Sequence, residues 1–145
     1  MERTLIVTSP QAIETAVDIV HDCEFDRKDI KFDPNLFMLT MSFYREGWDE
    51  KKLEKKILFL KKYRVPVVKY ILRIMNVRNY KIVEGTKQGP GTTDFINTLY
   101  YDSQKHLMQI ATQIAKGVEV TVTELNLSIE NTHEIVEEKT KFSLF

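Results

Sequence analysis

Two stretches of this chain share a pattern that is typical of β-hairpins. Residues 30–38 and 99–107 both place apolar and aromatic side chains before a turn aspartate, Asp33 in the first and Asp102 in the second, and return to apolar residues after it. Pro34 suits a type I turn because its ring fixes φ at the value that the second turn position needs. Two hairpins of this kind predict a fold built mainly from antiparallel strand pairs.

The segment that precedes the first hairpin carries the signals of a helix. Ser9 offers a capping hydroxyl, and Pro10 follows at the position where the first helical turn accepts proline. Apolar residues then recur three and four positions apart, at Ile13, Ala16, Val17 and Val20. The pattern predicts an amphipathic helix over about residues 10–22, packed on a sheet.

Two further stretches, residues 65–77 and 118–124, are rich in valine and alternate apolar with polar side chains, as half-buried strands do. Together with the hairpins they predict an α+β fold, in which mostly antiparallel hairpins form a small open barrel or a curled sheet beside the N-terminal helix. Both halves of the chain have the predicted order strand, long connection, strand, turn, strand; the long connection is the helix in the first half and a glycine-rich loop in the second. An internal duplication explains this match, and so does the pattern that any two hairpins share.

The length of 145 residues fits a single domain, which we place at residues 1–131. The remaining residues, 132–145, are predicted to be an acidic C-terminal helix or tail. Asn131 is a residue type that caps helices, and Glu134 stands three positions later, as in a capping box.

Composition places the chain among ordinary globular proteins, with 43% hydrophobic and 29% charged residues. Its one cysteine, Cys23, cannot form an internal disulfide, which fits a reducing compartment. The first residues lack the apolar stretch of a secretory signal, and no segment has the apolar length of a membrane span. We therefore expect a cytoplasmic protein that does not bind membranes.

The residue types of metal and nucleophile chemistry occur here at unsuitable spacings. His21, Asp22 and Cys23 are adjacent, whereas zinc ligands pair about two to five positions apart. The other two histidines, His106 and His133, lie far away in the sequence. We predict no catalytic site, no metal and no cofactor.

A glycine-rich loop, residues 85–93, holds lysine and hydroxyl groups but departs from the phosphate-binding order, because a proline and a glycine follow Gly89. It is predicted to be a connecting loop, with a lid over a ligand as the alternative. In that alternative a small ligand-binding barrel or enzyme has its site under the loop, beside the hairpin residues Asp102, Lys105 and His106.

The charges cancel in total but are sorted along the chain. Residues 1–50 carry 5 Lys and Arg against 11 Asp and Glu, residues 51–90 carry 12 against 2, and residues 91–145 carry 4 against 8. Most of the basic excess falls between Asp49 and Arg64, a segment whose pattern is compatible with a helix or with a strand. The candidate binding residues there combine cations with aromatic rings; they are Lys51, Lys52, Lys55, Lys56, Phe59, Lys61, Lys62, Tyr63 and Arg64.

Segregated charge, a hairpin scaffold and the absence of catalytic spacing predict a non-catalytic binding or protein-interaction module. Its partner would be an acidic protein surface or, alternatively, a nucleic acid, whose phosphates attract lysines and whose bases stack on aromatic rings. The ligand-binding barrel under the glycine-rich loop is the third hypothesis. A strand edge near Pro66 also predicts a homo-oligomer, formed by pairing with a second copy of the chain.

Overall fold

The computed structural model describes residues 4–85 and 91–144. Within these ranges the chain forms eleven strands and one α-helix, α1 (Ile13–Val20), which follows a short 3-10 turn at Pro10–Ala12. The strands are β1 (Thr4–Val7), β2 (Glu24–Asp26), β3 (Lys31–Asp33), β4 (Met38–Glu46), β5 (Lys52–Ile57), β6 (Leu60–Ile74), β7 (Val77–Val83), β8 (Thr93–Asp102), β9 (Leu107–Thr112), β10 (Gly117–Val122) and β11 (Leu127–Leu144).

All eleven strands belong to one sheet, and their pairing is antiparallel. The order is β1-β11-β6-β4-β2-β8-β9-β10-β7, with β3 added on β4 and β5 on β6, and the path does not close from β7 back to β1. The sheet curls, so that residues from both ends of this path share one apolar core. The predicted antiparallel and unclosed sheet is confirmed, whereas the α+β label rests on a single helix of eight residues.

The core is built by alternation along the central strands. From Leu39 to Phe43 every second residue of β4 is buried, because successive side chains of a strand point to opposite faces; these residues are Leu39, Met41 and Phe43. Phe43 stacks on Tyr70 of the neighbouring strand β6, with 5.3 Å between the ring centroids. Burial of an apolar side chain of this size stabilises a fold by roughly 1.5–3 kcal/mol, so this strand pair anchors the sheet.

The predicted N-terminal helix is confirmed over its inner part. It begins as the 3-10 turn at Pro10 and continues as α1 to Val20, and Ser9 makes no side-chain cap bond. The buried residues Ile13, Ala16 and Val20 pack α1 on the sheet next to β8. Nowhere in the described ranges does the chain form a helix with the length and apolar character needed to cross a membrane.

The two predicted hairpins are β3–β4 and β8–β9, and their turns have the same local geometry. Asp33 and Asp102 each accept hydrogen bonds from the backbone N–H groups two and three residues further on, at 2.9 to 3.3 Å. The last turn residue is left-handed in both, with φ 51 at Phe37 and at His106. The same chemistry therefore closes both turns, and the internal duplication stays a prediction.

The predicted C-terminal helix is wrong, because residues 132–144 continue strand β11. The Asn131 side chain accepts a hydrogen bond from the His133 backbone N–H at 2.9 Å, yet the turn so formed is a bulge and not a helix start. His133 adopts φ 59, and the register with β6 shifts between Asn131 and Glu134. The chain then resumes pairing with β6 as far as Leu144, with a second register shift between Ile135 and Glu137 that leaves Val136 out of the ladder.

The segment from Asp49 to Arg64 has a sequence pattern that is compatible with a helix or with a strand. In the structure most of it forms a hairpin made of β5 and the start of β6. Pro66 lies in β6 with β11 beside it, so it does not mark a strand edge as predicted. On the other side of β6, β4 pairs from Val67 onward and β5 pairs up to Arg64. Pro66 falls in the gap between these two partners, where its missing N–H breaks no ladder bond.

The glycine-rich loop joins β7 to β8, and residues 86–90 lie outside the described ranges. Its role as a connecting loop or as a lid therefore stays a prediction. Gly85 stands at its described start, where a Cβ atom would come 2.2 Å from the carbonyl oxygen of Ile114. Only glycine allows this close approach of the two backbones.

Candidate interaction arm

The start of β6, with β5 and the end of β11 on its two sides, continues beyond the strand pairs of the core. We call these residues, 51–64 and 138–144, the arm. β6 is its central strand. Every residue of β5 is exposed, and so are the two residues of the turn that joins β5 to β6. All nine candidate binding residues predicted from the sequence belong to the arm.

The tip of the arm is apolar. Leu58 and Phe59 form the turn and are 83% and 72% exposed, while Ile57, Leu60 and Leu144 stand side by side across the three strands just below it. Leu58 also adopts φ 51, a left-handed conformation that bulky residues avoid and for which hairpin turns usually employ Asn or Gly. Phe37 in the β3–β4 turn shows the same combination, with φ 51 and 61% exposure, so this conformation at Leu58 belongs to the turn itself.

Arg64 ties the three strands of the arm together. Its guanidinium lies 2.5 Å from Glu54 of β5 and 3.5 Å from Glu138 of β11, and Lys62 reaches Glu54 at 3.5 Å. Exposed ion pairs of this kind contribute about 0–1 kcal/mol each. Glu54 and Glu138 are the two carboxylates that the arm contains, so most of its positive charge is not neutralised within it.

Lys51 and Tyr63 contact each other within the arm. Lys51 Nζ lies 5.5 Å from the centre of the Tyr63 ring and donates to the carbonyl oxygen of Trp48 at 3.3 Å. One face of the tyrosine ring is therefore covered by an ammonium group. In the part of the chain that the structure describes, Lys52 and Lys55 form no ion pair, and both residues are exposed.

The third strand of the arm is not predicted from the sequence, because the capping pattern at Asn131 favours a helix there. Lys139 and Lys141 of this strand reach Glu46 of β4, with Nζ to Oε1 distances of 3.8 and 2.7 Å, and so anchor the arm to the body. Phe142 is 60% exposed and extends the apolar tip. The two-residue spacing of these lysines is the sequence signal for a strand here, since residues two apart share one face of a strand.

The arm and the rest of the molecule carry opposite net charges. The arm holds nine Lys and Arg and two Glu, a net charge of +7. Because the whole chain is neutral, the remaining residues carry a net charge of −7. The positive charge that is concentrated in the sequence is thus also concentrated on one projecting element.

A cavity of about 350 Å³ lies at the base of the arm. Four carboxylates line it, those of Asp18, Asp22, Glu24 and Glu46. Arg45 and Lys139 are the cations in its wall, and Trp48 supplies an apolar surface. Among the described residues Asp18 and Glu24 have no ion-pair partner, and both are exposed, so the cavity keeps a negative charge. We call it the acidic cavity.

The adjacent residues His21, Asp22 and Cys23 do not form a nucleophile and base pair. His21 Nδ1 donates to the Asn97 carbonyl oxygen at 2.6 Å, since a carbonyl can only accept, and the Cys23 thiol donates to the Ile19 carbonyl at 3.3 Å. Burial raises the pKa of the Cys23 thiol to about 12, which disfavours the reactive thiolate at neutral pH.

The other two histidines lie in the β8–β9 turn and in the β11 bulge. Residues 4–85 and 91–144 contain no group of three His, Cys, Asp or Glu that could hold a metal ion.

Asp94 is a buried charge to which no sequence motif points. It is fully buried in β8, and four backbone N–H groups donate to its carboxylate at 2.7 to 3.1 Å, those of Phe95, Gln113, Ile114 and Ala115. Burial raises the pKa of this carboxyl, but the amides and Arg27 outweigh burial and hold the pKa below its ordinary value. Since its hydrogen bonds are internal, Asp94 organises the β9–β10 turn and does not face a ligand.

No known protein family, curated protein or solved structure matches this chain. The arm and the acidic cavity are the features of the molecule from which a function can be argued.

Proposed function

We propose that this chain is a non-catalytic protein-interaction module that docks its arm on an acidic protein surface. The observation that carries the proposal is the combination of a +7 charge and an apolar tip on one exposed three-stranded element. Opposite charges steer the encounter, with Lys52 and Lys55 free of ion pairs among the described residues. Burial of Leu58 and Phe59 then supplies most of the affinity, because desolvated apolar anchors dominate protein interfaces.

The character of the tip favours a protein partner over a nucleic acid. Single-stranded nucleic acids stack their bases on exposed aromatic rings, a role that the sequence assigns to Phe59 and Tyr63. Tyr63 has Lys51 over one face of its ring, whereas Phe59 is 72% exposed. Leu58 and Leu144, the most exposed apolar side chains of the tip, carry no ring. Aliphatic side chains of this kind fill apolar pockets on proteins.

The hypothesis of an enzyme or ligand-binding barrel has less support. Asp102 accepts two backbone N–H bonds within its own turn, which orients its carboxylate toward the turn and away from a substrate. Asp94, which follows the glycine-rich loop in the chain, is enclosed by amides and by Arg27. Each of these two carboxylates therefore has a structural role that accounts for its position.

Fluorescence anisotropy with a labelled polyglutamate peptide tests the proposal. We expect the wild-type protein to bind the peptide and to lose affinity as salt is added, because exposed charges are screened. Lys52→Glu/Lys55→Glu should weaken binding by at least about tenfold, since both lysines are exposed on the arm and their reversal turns attraction into repulsion. Lys105→Glu/Lys116→Glu makes the same change of net charge outside the arm and should bind as the wild type does.

An oligothymidylate strand of matched charge separates the two classes of partner. We expect it to bind more weakly than polyglutamate, because Lys51 covers one face of Tyr63 and the two most exposed side chains of the tip, Leu58 and Leu144, carry no ring for stacking. Tighter binding of oligothymidylate would favour the nucleic-acid hypothesis and overturn the proposal. Equal losses in the arm variant and in the control variant would also overturn it, since binding would then follow net charge alone.

A further inference from the structure

We infer that the acidic partner of the arm is a second copy of this chain, joined to the first by antiparallel pairing of the two β11 strands about Lys139. The inference rests on the proposed function and names its partner. The chain is neutral as a whole, so the acidic surface that a +7 arm requires is present on the rest of the same protein. A second copy therefore supplies matching charge without any other component.

β11 has an open edge along the arm. β1 pairs with residues 127–130 of β11. Residues 134, 135 and 137–144 pair with β6 on one side, with Val136 left out of the ladder in a bulge, while no described strand pairs with them on the other side. An unpaired edge of this length is a template for a further strand. Four exposed apolar side chains lie along it, those of Ile135, Val136, Phe142 and Leu144.

The charges along this edge are complementary to those of a second copy that runs antiparallel to it. Its first half carries Glu134, Glu137 and Glu138, and its second half carries Lys139 and Lys141. Antiparallel pairing of two copies places the acidic half of each strand beside the basic half of the other. Opposite charges on neighbouring strands stabilise a sheet, whereas like charges destabilise it.

The register follows from the pairs that it creates. A two-fold axis perpendicular to the sheet keeps each face of the sheet on the same side, so residues equidistant from the axis stand opposite each other. With the axis at Lys139, Glu137 stands opposite Lys141 of the second copy, and symmetry repeats this contact. The one unfavourable pair, Lys139 with its own copy, is moderated by Glu46, whose Oε1 lies 3.8 Å from the Lys139 amine.

Other pairings of the arm are less favourable. An axis at Glu138 pairs Glu137 with Lys139 but sets two glutamates against each other. It also places the apolar bulge residues Ile135 and Val136 against Thr140, whereas the axis at Lys139 places them against Phe142. The second open edge of the arm, β5, carries three lysines and one glutamate, so two β5 strands would bring lysines together. Edge lysines are a common protection against such pairing. β11 is therefore the edge that the charges select.

Antiparallel arms also bring each tip to the base of the other arm. With Val136 out of the ladder, the paired residues from Glu134 to Leu144 span roughly 30 Å, so with the axis at Lys139 Leu144 of one copy lies near Glu134 of the other. Glu134 and Tyr44 both stand opposite Lys69 of β6, one on each side of it, and Tyr44 lines the acidic cavity. The basic, apolar tip of each copy thereby approaches the carboxylates at the base of its partner.

A cysteine on the proposed axis tests this pairing. Lys139→Cys places two cysteines directly opposite each other with Cα atoms about 4.5–5.5 Å apart, a separation that a disulfide spans. We expect mild oxidation to convert most of this variant to a covalent dimer. Lys55→Cys, on the opposite edge of the arm, is the control and should stay monomeric on denaturing gels. The native Cys23 is buried and does not compete.

A charge exchange tests the register without a covalent bond. We expect the wild type and Glu46→Gln to sediment as dimers, Glu137→Lys to sediment as a monomer, and Glu137→Lys/Lys141→Glu in the Glu46→Gln background to sediment as a dimer again. Glu46→Gln is needed because this carboxylate lies 2.7 Å from the Lys141 amine and would repel a glutamate there. Rescue by the second change separates a broken contact from a damaged fold. A doubly changed protein that stays monomeric, or a covalent dimer from Lys55→Cys in place of Lys139→Cys, would overturn the pairing.

Sedimentation and polyglutamate binding together separate the dimer from the interaction module. A wild-type protein that sediments as a monomer and still binds polyglutamate through its arm rules out the second copy and leaves the interaction module standing. A wild-type protein that neither dimerises nor binds polyglutamate rules out both.

Discussion

Arg27 and Asp94, 67 residues apart in the chain, form an ion pair with 3.2 Å between Nη1 and Oδ2. The pair joins the turn after β2 to the start of β8 and to the β9–β10 turn, whose amides fill the remaining positions around the carboxylate. Arg27 also donates to the carbonyl oxygen of Gly91 at 3.2 Å. One buried charge thus holds together three segments that are distant in sequence.

Asp94→Asn should lower the free energy of unfolding by about 3 kcal/mol, because the amide nitrogen would face backbone N–H donors and Arg27 would lose its partner. Arg27→Gln is the comparison, since it leaves the carboxylate with its four amide bonds and should cost about 1 kcal/mol. Urea denaturation measures both values. Equal losses in the two variants would mean that the amides contribute little to the stability of the site.

The free energy of unfolding should decrease in acid. A hydrogen bond from the Thr92 hydroxyl lowers the pKa of Asp26, and for Asp94 the amides outweigh burial, so both folded pKa values lie below 3.8. Each carboxyl binds its proton more weakly when folded, so its stabilisation is complete above 3.8 and is lost as the pH falls through the folded pKa. Urea titrations over this range should give a flatter pH dependence for Asp94→Asn than for the wild type; identical slopes would contradict the assignment to Asp94.

Leu58→Gly should raise the free energy of unfolding by up to about 1 kcal/mol, because glycine adopts the left-handed conformation without steric cost. Phe59→Gly removes the other turn residue, whose φ is not positive, and should lower that free energy by about 0.5–1 kcal/mol. Both variants lose apolar surface at the tip and should bind a partner more weakly. Chemical denaturation and sedimentation measure the two effects separately. Destabilisation by Leu58→Gly would show that the leucine packs within the fold.

The Cys23 thiol should react slowly with alkylating reagents in the folded protein. Its side chain is buried and its pKa is raised to about 12, so both access and thiolate formation are disfavoured near neutral pH. Modification should accelerate in urea in proportion to the unfolded fraction, as read by mass spectrometry. Rapid labelling of the native protein at pH 8 would contradict this description of the site.

The parts of the fold that follow from the sequence are those whose signals lie within a few residues. Asp33 and Asp102 close their turns through their own neighbouring amides, and the alternation along β4 and β6 lies within single strands. The arm hairpin is harder to predict because its turn, Leu58-Phe59, lacks the Asn or Gly that usually marks such turns. Its lysines and leucines also fit a helical spacing as well as a strand spacing.

The features that escape prediction depend on distant partners. The capping pattern at Asn131 does form its local hydrogen bond, but pairing with β6 decides that the following residues are strand. Asp94 resembles an ordinary polar strand residue, because three of the amides that hold it lie at residues 113–115. The candidate cations lie together on one element, yet the strand that completes their surface comes from the far end of the chain.

β6 runs from the tip of the arm at Leu60 to the core at Ile74 as one strand of 15 residues. β6 therefore joins the arm to the core without a break in the strand. A force applied at the tip acts along the strand and loads many hydrogen bonds to β11 and β4 in shear at the same time, whereas peeling would load them one after another. A partner that pulls on the arm thus pulls directly on the folded body.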